Sequence, residues 1–440
     1  MSQVLSIGRH ATTLSSRADC VVLEFLGGGG QGEVYRARLN DKDVALKWYL
    51  PNCATPRQRA SLEFLIRKGP PADRFLWPLE LATAANVPDF GYVMPLRDPR
   101  FKGIAGLMKR SIDVSFRALT VAGFELAHSF LHLHSKGLCY RDISFGNVFL
   151  DPATGSILIC DNDNVAVDGD TAGGILGTPR FMAPEVVRGD SLPSIQTDLF
   201  SLAVLLFYLF MVHHPLEGAR ELAIHSFDLA AMTRLYGADP RFVFDPRDES
   251  NRPVAGYHDN VLAFWPLYPQ FLRDLFIRAF TAGLRDAEHG RVREGEWRAA
   301  MVRLRDSILY CGGCGAENFY DADALRSAGD PGKCWTCRAP LQLPYRLRVG
   351  RSTVMLNHDT AIFPHHIDER SANDFSQPVA VVTRHPQNLS IWGLKNVSRD
   401  RWSFSKSLDP RPMELLPGQS VTLEPGLHIN FGRLEGEVRL

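Results

Sequence analysis

Between residues 21 and 50 the chain alternates apolar and polar residues around a glycine cluster: VVLEFL, then GGGGQG, then EVYRARL, then DVALKWYL. Period-two alternation interrupted by turn residues predicts a three-stranded antiparallel meander. Gly27, Gly29 and Gly32 satisfy G-x-G-x-x-G, with Val34 two residues later. A dinucleotide-binding fingerprint of that form needs its last glycine to open a helix. EVYRARL reads as a strand, which excludes that fold. A glycine loop between antiparallel strands can instead fold over a nucleotide, its amides approaching the phosphates unobstructed by side chains. Fifteen residues after Gly32, VALK supplies Lys47.

The remaining motifs resemble those of the protein-kinase family in order and spacing over about residues 20–309. Tyr140-Arg141-Asp142-Ile143-Ser144-Phe145-Gly146-Asn147 resembles its catalytic loop, and nineteen residues past Asp142 an apolar ILIC run delivers Asp161. GTPRFMAPE (177–185) resembles the end of an activation segment in its Ser/Thr form. The resemblance implies that Asp142 orients the substrate hydroxyl and accepts its proton, with Lys47 on the nucleotide phosphates. Asn147 and Asp161 would hold Mg²⁺ (or Mn²⁺), a hard cation that takes oxygen ligands. The nucleotide, ATP, would be bound by Gly27, Gly29, Gly32, Val34, Ala45, Lys47, Glu63, Met94 and Leu96. Glu63, the only acidic residue of the helix expected over 56–68, would pair with Lys47, and the 94–96 backbone would bond the adenine. Thr178 would bond near Asp142, Glu185 would pair with Arg291, and Asp198 would brace the catalytic loop. Arg141 would meet a phosphorylated activation-segment residue, with Thr171 the candidate acceptor.

The pattern departs from the family in three places. Tyr140 replaces the usual histidine, Ser144 replaces a lysine that helps neutralise the γ-phosphate, and Asp161-Asn162-Asp163 replaces Asp-Phe-Gly. Asp163 reads as a turn residue or a further metal contact. Lys47, Asp142, Asn147 and Asp161 are all retained, which favours an active enzyme over a nucleotide-binding scaffold.

Strands first and long apolar helices afterwards (114–136, 198–212, 266–282) predict an α+β, bilobal architecture. The N-lobe would cover about 15–96 and the C-lobe about 97–309, with an irregular, polar insertion at about 213–265. The apolar run Leu199 to Val212 is too short to span a bilayer, which takes about 18 residues or more, and reads as a buried core helix. The N-terminus has no apolar stretch of the signal-peptide kind. Lys+Arg and Asp+Glu both total 49, so no global field favours nucleic acid or an anionic membrane. These features predict a cytoplasmic protein, and the kinase resemblance, through GTPRFMAPE, implies protein substrates.

Of eight cysteines, four are scattered, and Cys139 and Cys160 read as inert core thiols. Cys311-x2-Cys314 and, after nineteen intervening residues, Cys334-x2-Cys337 fit the spacing of a four-cysteine zinc ribbon over 310–340. Four thiolates close the coordination sphere, hence a structural Zn²⁺; two disulfides are the alternative. Acidic residues between the pairs argue against nucleic-acid binding. Residues 341–440 alternate between Pro-Gly turns, as a small all-β sandwich would. Gly350-Arg351 and a later Gly-Leu-Lys-Asn-Val resemble parts of a forkhead-associated domain, although its Ser-x-x-His element is not evident. His358, His365 and His366 read as surface histidines. Kinases with appended ribbons resemble those of tellurite-resistance-type stress clusters, which implies a protein phosphatase and a von Willebrand-type partner. The rival readings are a pseudokinase scaffold, a small-molecule kinase, which the GTPRFMAPE segment opposes, and a ribbon that binds nucleic acid.

Overall fold

A computed structural model describes residues 3–170, 176–407 and 409–440. It divides into two compact units: residues 1–114, 121–262 and 275–298 form the first, and 115–120, 263–274 and 299–440 the second.

The first unit opens with a closed six-stranded barrel. Its strands are β1 (His10–Thr13), β2 (Asp19–Gly28), β3 (Gly32–Leu39), β4 (Lys42–Tyr49), β5 (Glu80–Thr83) and β6 (Gly91–Pro95), in the spatial order β1-β2-β3-β4-β6-β5. The expected meander is β2-β3-β4. Closure comes from β1, which pairs with both β2 and β5. With Leu5 also buried in this core, the N-terminal part of the unit begins ahead of residue 15. The four-residue β1 is too short to show a period in the sequence.

Helix α1 (Pro56–Lys68) starts where Thr55 Oγ1 accepts from the Gln58 amide at 3.1 Å and Pro56 presets the first turn. It buries Leu62 and Leu65 and ends at Gly69, whose φ of 72° suits glycine. The helix Ile195–Met211 is capped reciprocally by Ser194 and Thr197, and every residue from Thr197 to Met211 is buried. The long apolar run is therefore a core helix, and among the described residues no helix is long and apolar enough to cross a membrane.

The 213–265 segment is less detached than its polarity suggests. Glu217, buried within it, pairs with Arg180 and accepts from Tyr236, tying the segment to the GTPRFMAPE stretch. Short helical turns at Ala219–Leu222, Leu229–Met232 and Asp259–Phe264 complete it. Its polar residues face one another, a pattern with no periodicity to read.

In the second unit the strand Ile308–Tyr310 pairs with Glu317–Phe319, and the helix Ala322–Ala328 comes next. The strand starts before residue 310, and residues 299–309 belong to the second unit, so the expected boundary at 309 falls late. Beyond lie a six-stranded sheet in the order 352–355, 346–349, 435–439, 428–430, 402–406, 409–415, and a four-stranded sheet in the order 361–362, 380–385, 388–396, 420–422. Leu347, Trp402, Ile429 and Val438 from the first share one apolar cluster with Ile362, Val382, Leu394 and Val421 from the second. His358 is exposed, but His366 is buried, its Nε2 3.2 Å from Asp306 Oδ2, and His365 is half-buried. These two are not surface histidines: the short helix Pro364–Ile367 packs them against Phe363.

Candidate functional site

The site is built where the glycine turn, the end of β4 and two loops of the helical part meet. Lys47 lies on β4, and its chain partner across β3 is Val34. Gly32 is required there: a Cβ on it would stand 2.3 Å from the Trp48 carbonyl. At Gly27 and Gly29 a Cβ would meet nothing within 4 Å, so the turn presents bare backbone to open space, as phosphate binding requires. Val34, Ala45, Met94 and Leu96 fall in one apolar cluster with Leu62 and Tyr92, a surface suited to a flat heterocycle. Pro95 offers no N–H, so a donor to a base at 94–96 must come from its neighbours.

Lys47 does not pair with Glu63. Its side chain is 4% exposed, and Nζ lies 2.9 Å from Asp163 Oδ2 and 3.1 Å from Asp161 Oδ1. Glu63 sits on the outward side of α1, in an exposed ion pair with Arg59 at 3.1 Å. The inner side of α1 presents Gln58 instead, which donates to Tyr49 Oη at 3.0 Å and to the Asp163 carbonyl at 3.2 Å. Burial works against the charges of Lys47 and Asp163. Their mutual attraction outweighs it, raising the ammonium's pKa and lowering the carboxyl's. Tyr49 also donates to Asp163, and its own hydroxyl is pushed far up by burial and that carboxylate. Asp163, in the single 3₁₀ turn Asn162–Asn164, is the buried partner of the lysine. Tyr49 and Gln58 were not singled out in the sequence. Period-two geometry puts Tyr49 on the Lys47 side of β4, and that is the signal that finds it.

Asp142 is fixed by two donors. Thr178 Oγ1 lies 2.8 Å from Oδ1 and Asn147 Nδ2 3.1 Å from Oδ2, and the same amide reaches the Asp142 carbonyl at 2.9 Å. With its NH₂ so engaged, Asn147 leaves its carbonyl Oδ1 as the oxygen suited to a metal ligand. The hairpin Val148–Leu150 with Ile157–Ile159 then brings the chain back to Asp161. Arg141 and Asp161 both hold positive φ, 74° and 51°, a strained setting that neighbours must enforce. Asp198 enforces it at Arg141, accepting from that amide at 3.0 Å and from the Tyr140 amide. Asn162 enforces it at Asp161. Buried where the family carries Phe, it donates to the Leu76 and Ile159 carbonyls at 2.9 and 3.0 Å. Tyr140 is wholly buried, its hydroxyl donating to the Cys160 carbonyl.

Behind the site, Glu185 accepts from Arg291 Nη2 at 2.7 and 2.9 Å. His134 bridges Asp198 and Glu294, and its pKa is raised to about 9: burial opposes the charge, but the two carboxylates outweigh it. Burial pushes the Cys139 and Cys160 thiols up to about 12, as inert cysteines require. Arg141 reaches the Asp170 carbonyl at 3.2 Å, whereas Thr171 lies outside the described residues.

In the second unit, the Sγ atoms of Cys311, Cys314, Cys334 and Cys337 lie within 4.8 Å of one another, and all four cysteines are free. Cys311 and Cys337 are 3.6 Å apart, Cys314 and Cys334 3.7 Å. A tetrahedron of about 2.3 Å Zn–S bonds has edges close to these lengths. The two knuckles are built alike. Gly315 (φ 73°) donates to the Cys311 carbonyl at 2.8 Å, and Arg338 (φ 63°) to the Cys334 carbonyl at 3.0 Å. Burial resists ionisation of Cys334, yet the Cys337 and Thr336 amides bring its thiol down to about 6.

Residues 103–263 match the family model of the protein kinase domain. The chain is 33% identical over 217 residues to a DNA damage-responsive serine/threonine-protein kinase of Deinococcus radiodurans, covering 47% of this chain and 31% of that protein. It is 30% identical over 112 residues to a probable serine/threonine-protein kinase of Zea mays, 25% of this chain and 17% of that one. A probable serine/threonine-protein kinase of Dictyostelium discoideum is 25% identical over 199 residues, 42% of this chain and 21% of the relative. The chain thus spans no more than 31% of the length of these relatives. Taken with the geometry around Asp142 and Lys47, the matches show that residues 103–263 are similar to a protein kinase domain, and that the relatives named here are serine/threonine-protein kinases.

Proposed function

We propose that the chain is an active kinase of bilobal architecture that moves the γ-phosphoryl group of ATP to a Ser or Thr hydroxyl of a protein. The observation that carries this is Asp142, held between Thr178 and Asn147. Its carboxylate orients the hydroxyl and takes its proton as the oxygen bonds to the γ-phosphorus. The bond from that phosphorus to the β,γ-bridging oxygen breaks, and ADP leaves with the electron pair. Lys47 lies against the phosphates, its charge maintained by Asp163, and the bare glycine turn covers them. Asp161 Oδ and Asn147 Oδ1 are the oxygen donors that would hold Mg²⁺ or Mn²⁺, which when bound screens the phosphate charge.

The same reading includes autophosphorylation with Thr171 as acceptor, and Arg141 as the cation that meets it. The four cysteines hold one structural Zn²⁺, a fit their spacing supports. The zinc-binding segment and the C-terminal β-unit serve regulation or partner recruitment. A phosphatase and a von Willebrand-type protein are candidate partners, and the cytoplasm the setting.

The test is intact-mass spectrometry of dephosphorylated protein incubated with ATP and Mg²⁺, beside Asp142→Asn. Whole-phosphate gains in the wild type alone support transfer, and peptide mapping locates the acceptor. Nucleotide-induced stabilisation without transfer to itself or to a generic protein substrate would favour the scaffold reading.

A further inference from the structure

The second unit carries a half-open pocket of about 690 Å³ that the phosphoryl-transfer site does not use. That volume falls within the range of small-molecule sites. Its walls carry Arg303, Arg326, Arg346, Arg348, Arg351 and Arg439 against two carboxylates, Asp306 and Asp321. Both carboxylates are already engaged. Asp306 faces His366, and Asp321 caps its helix through the Asp323 and Ala324 amides at 2.9 and 3.2 Å while also accepting from the Gln270 amide.

Strand geometry explains why the arginines converge. Leu347 and Val349 point into the apolar core, so Arg346 and Arg348 stand on the opposite face of the same strand. Arg439 is the direct cross-strand partner of Arg346. Two like charges placed opposite each other weaken a sheet, and nothing in the core calls for them. Arg439 is offset by Glu437. Arg346 donates to the Leu440 carbonyl at 3.1 Å, but its Nη1 is buried with no partner among the described residues. Arg303 stacks on Phe271 at 4.0 Å, which leaves its N–H edge open. Arg348 stands across from the same Glu437, which it shares with Arg439, and Arg326 is paired with Asp323, whereas among the described residues Arg303 and Arg351 form no salt bridge.

We propose that this cavity binds a small polyphosphorylated anion. Planar guanidinium forks match phosphate oxygens two at a time, and several forks on one wall suit linked phosphates better than a single charge. A nucleic-acid strand would need an open track with stacking platforms, whereas this site is a pocket in a chain of zero formal net charge. The assignment does not depend on the phosphoryl-transfer reading.

The test is calorimetric titration of the full chain with inorganic tripolyphosphate. The variants are Arg348→Glu combined with Arg351→Glu, Arg439→Gln as a milder change, and Arg100→Gln as an exposed arginine of the first unit, outside the cavity. Affinity should fall at least about tenfold in both cavity variants, as loss of charge-assisted contacts implies, and stay unchanged in Arg100→Gln. Unchanged affinity in the cavity variants, which would place the binding elsewhere, would overturn the proposal, as would an equal loss in Arg100→Gln or no binding to the wild type. Tighter, arginine-dependent binding of a phosphothreonine peptide than of tripolyphosphate would also overturn it.

Discussion

Lys47 Nζ lies 2.9 Å from Asp163 Oδ2, although 116 residues separate them in the chain. The lysine proposed to face the nucleotide phosphates is thereby held by the loop that also carries Asp161, rather than by a glutamate of the following helix. One short segment, Asp161 to Asp163, supplies both a candidate metal ligand and the counter-charge of the lysine. Helix α1 keeps a lesser part, through Gln58 on the Asp163 carbonyl.

The Glu185–Arg291 pair should behave as a buried ion pair whose halves cannot be removed singly. Arg291 is 3% exposed at its side chain, and burial pulls its guanidinium below the usual range despite Glu185. Glu185→Ala leaves that cation without its carboxylate and should cost about 3–5 kcal/mol in urea unfolding. A loss below about 1 kcal/mol would mean that the pair behaves as a surface one.

His134 makes stability depend on pH. Its folded pKa of about 9 lies above the ordinary value of 6.5, so its contribution is complete below the latter and disappears as pH rises through the former. Relative to His134→Gln, the wild type should gain up to about 3 kcal/mol near pH 6 and little near pH 10. Denaturant midpoints measured across that interval check it, and a difference that grows with pH would contradict it.

Metal analysis of the purified chain should find one zinc per chain, bound by Cys311, Cys314, Cys334 and Cys337. Cys334→Ser should abolish the stoichiometric zinc, because that sulfur is buried and also accepts from Asn318. Cys20→Ser lies in the barrel core and should leave zinc unchanged. Absence of zinc, together with thiols that resist reagents until reduced, would point to disulfides instead.

Much of this was legible where chemistry fixes both residue type and spacing. The Asp142–Asn147 offset, the Asp198 brace, the Glu185–Arg291 pair and the four cysteines could be read because each is a local motif or a long-range family pairing. The partner of Lys47 could not. Glu63 was the only acid on α1, but which side of a helix faces the site depends on its rotation, and Leu62 and Leu65 turn Glu63 outward. Strand β1 and the ties of the 213–265 segment escaped because four-residue strands and mutually satisfied polar groups leave no periodicity. The buried His366 escaped because only its contact with Asp306, 60 residues away, distinguishes it from a surface histidine.

The central claim is an active phosphotransferase whose lysine is held by Asp163. Initial rates of phosphoryl transfer from ATP–Mg²⁺ to a protein substrate test it most directly, compared among wild type, Asp163→Asn and Glu63→Gln. Asp163→Asn should lower kcat about a hundredfold, as loss of a preorganised charge contact does. Glu63→Gln removes only an exposed pair and should stay within about twofold of wild type. An inactive wild type, or a Glu63→Gln enzyme that fails while Asp163→Asn works, would contradict the account.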